Sequence, residues 1–450
     1  MKGWRILAAA ATVVLALPLI NLAVGLPRSP LAEIAATDPH PTAAARVIAR
    51  KCVHCHTSQP ELPFYARVPF AARLIDRDIR EGSRRVDYLA GLTDAAAPSE
   101  VLLAKTDRVI EQRTMPPTRF VMLHWGLDLT NEDRAALSAW TGSVRVTTYA
   151  DPGTPAALRS AAIRPLPAQV DADPRKVELG RRLFHDPRLS GDDSVSCASC
   201  HDLAKGGTDQ RRYSIGVGGA RGGINSPTVF NASYNVLQFW DGRAGDLALQ
   251  ADGPVNNPIE MASNWEQVTS KLARDRAFTA AFRQVYPDGY SPESVVDAIA
   301  EFERTLITPD SPFDRFLVGD DAALDDEQRR GWQLFRDNGC ATCHTGAALG
   351  GGSFEVMGLE ADYFGDRGGP SETDFGRFNA TGRESDRYRF KVPTLRNVAL
   401  TWPYFHDGSV CELDEAVRMM ALYQRGRVLA EADVQAMVAF LESLTGVYRG

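Results

Sequence analysis

Cys52-Val53-His54-Cys55-His56, Cys197-Ala198-Ser199-Cys200-His201 and Cys340-Ala341-Thr342-Cys343-His344 decide the reading of this chain. Six of its seven cysteines lie in these three pentads. With seven Cys and eight His, chance supplies roughly 0.002 pentads of this kind, so three form a functional pattern. Two cysteines about one helical turn apart can reach the two vinyl groups of a haem as thioethers. The adjacent His then turns its ring onto the iron. Zinc would ask for a second Cys pair close in sequence, and these units stand far apart. The expected cofactors are therefore three covalent haem c groups with His56, His201 and His344 as proximal ligands.

Working outward, 450 residues at about 150 per unit suggest three domains. Hydrophobic residues make up 44% and charged residues 24%, enough to bury real cores. The 50 basic and 57 acidic residues give −7 with no Lys/Arg-dense block, which excludes a nucleic-acid partner. Helical frames surround the pentads. Val177, Gly180, Leu183 and Phe184 precede the second at helical spacing; Asp325 and Gln328 can form a capping box ahead of Trp332 and Phe335 before the third. Thr130–Asp133 and Ser291-Pro292 open further helices, and Val434, Met437, Val438 and Leu441 lie along a last one. The expected fold is mainly α, with three cytochrome c-like domains and an N-terminal transmembrane anchor. Its divisions are 1–27 as anchor or signal sequence, 28–150, 165–320 and 321–450, with 151–167 as a linker.

The N-terminus carries Lys2 and Arg5, then runs apolar from Ile6 to Leu26. At 1.5 Å per residue such a helix would span roughly 30 Å, a bilayer core. An uncleaved inner-membrane anchor with the remainder periplasmic is expected, the alternative being a signal peptide cleaved near Ala23-Val24-Gly25.

Longer motifs carry a family resemblance over about 285 residues from Pro165. Ser226-Pro227-Thr228-Val229-Phe230-Asn231, Phe239-Trp240-Asp241-Gly242-Arg243 and Glu260-Met261 resemble the bacterial dihaem cytochrome c peroxidases, as do Pro393-Thr394-Leu395-Arg396-Asn397 and Pro403-Tyr404-Phe405-His406-Asp407-Gly408. The resemblance implies that the His201 haem reduces hydrogen peroxide, with Glu260 as acid/base and Gln250 orienting the oxygens. It makes the His344 haem the electron-transfer centre with Met420 as sixth ligand, leaving Met419 to the core. It places Trp240 between the haems, Asn225, Thr401 and Pro403 at an interdomain calcium site, and His406 beside a propionate. Dimerisation is common in that family. One departure matters: Val217 stands where many members place a distal His, so the His201 haem is expected to be five-coordinate or water-bound. His185 is a weak substitute, better read as solvent-facing or bonded to backbone. Cys411 is read as a buried small hydrophobe.

Residues 41–144 resemble a small monohaem domain, through the first pentad with Thr57, Pro63-Phe64-Tyr65, Glu81-Gly82 and Thr114-Met115-Pro116-Pro117. Met115 is the expected sixth ligand, His124 the runner-up, and His54 is disfavoured inside the attachment turn. The whole order is similar to the trihaem quinol peroxidases. Membrane quinol is thus the expected donor and a small soluble cytochrome c the alternative. A non-enzymatic multihaem conduit is disfavoured by Gln250, Glu260 and Val217. A quinone-cofactor maturation oxidase is disfavoured by Met420, where that relative has Tyr.

Overall fold

The computed structural model describes residues 18–27, 31, 43–93 and 97–450. Most of the expected membrane span, residues 1–17, lies outside them. Among the described residues no helix is long and apolar enough to cross a membrane. The expected localisation, periplasmic and anchored to the inner membrane by an N-terminal helix, is corrected accordingly: the described residues support no anchor.

The chain is mainly helical and divides into two compact units, residues 1–150 with 157–162, and residues 151–156 with 163–450. The first holds α1 (Ala43–Lys51), α2 (Pro69–Arg85), α3 (Glu100–Gln112), α4 (Thr118–Leu123) and α5 (Asn131–Val144). The expected cap is present: Thr130 and Asp133 form a reciprocal capping box at the start of α5. Ile48, Leu103 and Leu137, from α1, α3 and α5, form its buried core with Val53 from the first pentad.

The second unit contains α6 (Pro174–Phe184), α7 (Leu247–Asn256), α8 (Pro292–Arg304), α9 (Asp326–Asp337), the strands β1 (Phe354–Val356) and β2 (Arg389–Lys391), then α10 (Leu413–Arg425) and α11 (Glu431–Glu442). The strands pair antiparallel with Phe354 opposite Lys391. Capping boxes at Ser291 and Asp325 start α8 and α9, as their sequences require. Segment 151–167 is no simple linker. Ile163 bridges Gly346, and the Leu166 N–H donates to Asp314 Oδ1, so this backbone is stitched into the second unit.

Internal duplication organises the unit. Helix α6 crosses α8 where a Cβ on Gly180 would stand 1.9 Å from the Ala298 carbonyl oxygen. Helix α9 crosses α11 where a Cβ on Gly331 would stand 1.9 Å from the Ala436 oxygen. Only glycine permits either approach. Thr228 and Thr394 each turn a hydroxyl onto a backbone carbonyl, of Gly206 at 2.7 Å and of Ala348 at 2.6 Å. Phe239 and Phe405 both adopt a left-handed backbone inside matching antiparallel bridges, Gln238 with Ala244 and Tyr404 with Val410. Two strand–loop connections thus repeat one design, each following a Cys-x-x-Cys-His turn.

Candidate functional site

The same local geometry holds all three pentad histidines. His56 Nδ1 lies 3.0 Å from the Gly82 carbonyl, His201 Nδ1 3.3 Å from Gly207, and His344 Nδ1 3.2 Å from Leu349. Pinning Nδ1–H to a carbonyl fixes the tautomer and leaves Nε2 with the lone pair a metal needs. Burial favours the neutral ring in each case, lowering His56 and His201 and pushing His344 down to about 4. The His201 and His344 N–H groups also close helical turns onto Cys197 and Cys340, which keeps each histidine beside its two cysteines.

His344 and Met420 line one cavity of about 230 Å³, together with Cys340 and Cys343. Met419, on the same helix α10, instead packs against Tyr363, Phe364 and Phe390. The two methionines thus separate: Met420 lines the cavity and Met419 packs into the neighbouring core. A mostly apolar hollow with a thioether, an imidazole and two thiols on its wall fits a covalent haem. Lys391 and Arg425 also reach this wall, and sequence reasoning missed both.

Around His201, Cys197 packs with Phe184, Phe230, Phe302 and Leu306. Burial raises the Cys200 thiol, and the negative charges of Asp209 and Glu260 add to that rise. Burial raises the Glu260 carboxyl above its ordinary value, opposed by a hydrogen bond from Asn257 Nδ2 at 2.7 Å and by the charge of Arg243. The Val217 N–H donates to the Glu260 carbonyl at 2.8 Å, so the loop carrying Val217 is fastened to the segment carrying Glu260. A Cβ on neighbouring Gly216 would fall 2.5 Å from that same oxygen. Gln250 is half-buried in the first turn of α7. His185 is exposed, with Nδ1 on the Arg181 carbonyl, as the sequence suggested. Glu303 was not foreseen: it is 4% exposed on α8, and burial pushes its carboxyl up to about 8.

Trp240 donates Nε1–H to the Asn225 carbonyl at 2.8 Å and meets the His406 ring edge-on, with centroids 6.4 Å apart. His406 bonds Asp374 through Nε2 at 2.6 Å, and Arg367 joins both Asp374 and Asp407. Burial works against the Asp374 charge, but the bonds from His406, Ser371 and Arg367 outweigh it and hold the carboxyl far below its usual range. Asn225 directs Nδ2 to the Arg211 carbonyl, and the Thr401 hydroxyl donates to Val398. Among the described residues no cluster of three or more His, Cys, Asp or Glu could hold a metal ion. Cys411 is exposed rather than buried. Its neighbour Val410, bridged to Tyr404, takes the inward position at 3% exposure.

In the N-terminal unit a Cβ on Gly82 would lie 2.3 Å from the Cys55 carbonyl oxygen, which brings α2 against the first pentad. Met115 is half-buried just after α3. Both nitrogens of His124 are engaged, Nε2 with the Tyr65 hydroxyl at 2.6 Å and Nδ1 with the Phe120 carbonyl at 2.9 Å. His54 bonds the Arg50 carbonyl.

Cytochrome c peroxidase Ccp of Escherichia coli is 50% identical over 401 residues, 88% of this chain and 86% of that protein. The chain belongs to the di-haem cytochrome c peroxidase family. That family's profile matches residues 174–322; a haem-binding domain matches 19–143 and a cytochrome c domain 328–445. The cytochrome c551 peroxidase of Nitrosomonas europaea is 45% identical over 63% of this chain and 84% of its own length. The methylamine utilization protein MauG of Methylorubrum extorquens is 32% identical over 69% of this chain and 90% of its own length. Among solved structures, a MauG-like protein associated with microbial copper homeostasis is similar, with TM-score 0.56 and 27% identity over 62% of this chain and 95% of that one. The protein is accordingly a haem peroxidase.

Proposed function

We propose that the chain reduces hydrogen peroxide to water at a haem held by Cys197, Cys200 and His201. Two further haems, at His344 with Met420 and at His56 with Met115, would carry the electrons. The observation that supports this reading is a desolvated Glu260 carboxyl, held by Asn257 and fastened through its carbonyl to the loop of Val217. Haem iron, when bound, supplies the electrons that split the peroxide O–O bond. Two electrons and two protons convert each peroxide to two waters. The Glu260 carboxylate accepts the proton of one peroxide oxygen and returns it to the other, which leaves as water. The Asn257 amide aims that carboxylate by holding Oε1. Gln250 would orient the oxygens. Val217 has no atom that can coordinate a metal, which leaves the distal face to substrate. Trp240, which contacts Asn225 and His406 and lines the His344 cavity, would pass electrons on from that site.

The donor we propose is a quinol, taken at the N-terminal unit. Tyr65 and His124 form a phenol–imidazole pair whose imidazole can accept one of its two protons, the other passing to solvent, and Phe64 and Trp125, half-exposed beside them in sequence, can receive an apolar ring. The second reading, a small cytochrome c donor, is favoured by the names of the relatives. Calcium at Asn225, Thr401 and Pro403 completes the proposal. Peroxide consumption by purified protein with a reduced quinol analogue, against reduced cytochrome c, decides the donor. Turnover with cytochrome alone would remove the quinol.

A further inference from the structure

Lys391 is a buried cation without a partner that explains it. It is 4% exposed on β2, and burial pushes its ammonium down to about 7. The one carboxylate whose charge supports it belongs to Asp241, which is already paired with Arg243 at 3.0 Å. An isolated buried ammonium is costly, and proteins keep one where an anion meets it.

The side chain lies on the wall of the cavity that also holds Cys340, Cys343, His344 and Met420. Arg425 reaches the same wall from the end of α10, with a buried Nε that lacks a hydrogen-bond partner. Glu355 is the single acidic side chain on that wall. An apolar hollow with two such cations suits an apolar occupant that carries carboxylates.

The internal duplication gives a second, independent argument. Lys391 stands three residues before Thr394, as Asn225 stands three before Thr228. The Lys391 N–H donates to the Trp240 carbonyl at 2.9 Å, and the Asn225 N–H to the His406 carbonyl at 2.8 Å. Trp240 and His406 are themselves equivalent, each following the left-handed Phe of its repeat. One repeat thus offers a neutral amide where the other supplies a fixed positive charge.

We propose that Lys391 Nζ binds a propionate carboxylate of the haem attached at Cys340 and Cys343, and so raises that haem's reduction potential. This rests on the reading that these cysteines carry haem. The ammonium offsets the propionate's negative charge, which otherwise favours ferric iron. The Lys391 backbone is bonded to Trp240, and both residues line the cavity wall.

The test is an optical redox titration of the full-length holoprotein, with the His344 wave identified as the one that moves in Met420→His. Lys391→Met is expected to shift the ferrous–ferric equilibrium of this wave about tenfold toward ferric, 59 mV for a one-electron couple. Lys391→Arg, which keeps the charge, is expected to leave it in place. An unshifted wave in Lys391→Met, or in Lys391→Gln if the Met variant does not fold, overturns the inference. Equal shifts in the Arg and Met variants also overturn it, because packing would then be the cause. Haem absent from the Cys340–Cys343 peptide of the wild type would instead remove the reading beneath it.

Discussion

Asn231 and Asn397 share one acceptor: their side-chain amides donate to the Thr308 hydroxyl at 3.0 and 2.8 Å. Both asparagines adopt the left-handed backbone that Asn tolerates better than most residues, and both are almost fully buried. Each ends one copy of the duplicated motif, so Thr308 ties the two copies of the second unit together.

Thr308→Val keeps the shape and removes the shared acceptor. Two buried amide donors would then lack a partner, at about 1–3 kcal/mol each. The expected result is a loss of about 2–6 kcal/mol of stability in denaturant unfolding, with haem attachment retained. Stability equal to wild type would show that the join does not depend on this bond.

The sequence exposed the helical frame well. The caps at Thr130, Ser291 and Asp325 follow from local pattern, because caps are set within a few residues, whereas Met420 was singled out over Met419 only by the family resemblance. Long-range contacts were not readable. Nothing local marks Gly180 and Gly331 as crossing points, since the clash they avoid comes from chain more than a hundred residues away. Lys391 looks like any strand lysine until β2 is placed on the wall of the His344 cavity. The apolar N-terminal run suggested an anchor from composition alone, and among the described residues no helix bears that out.

Glu303 makes stability depend on pH. Its carboxyl titrates at about 8 in the fold against an ordinary value of 4.5, because burial disfavours the charge. The folded state therefore keeps a proton that the unfolded state has lost, and stability falls as pH rises from about 4.5 through about 8. Glu303→Gln removes this dependence. Its melting temperature relative to wild type is expected to climb across that window; a constant difference would contradict the assignment.

Val217→His would place an imidazole on the loop fastened to Glu260. The oxidised variant is expected to show a low-spin bis-histidine signal by electron spin resonance and to lose peroxide turnover until reduced. Wild type is expected to show neither property. A bis-histidine signal from the His201 haem of wild type would remove the claim that its distal face is open.

Burial of Glu260 predicts that the acid limb of the turnover profile reports a carboxyl above the ordinary glutamate value, since base function requires the ionised form. Glu260→Gln abolishes that limb by removing the titrating group. The most direct test of the account is peroxide turnover by Glu260→Gln holoprotein with haem content matched to wild type. The account predicts a fall of about 10²–10⁴-fold. Turnover equal to wild type would contradict it, because the proton transfer assigned to Glu260 would then be made elsewhere.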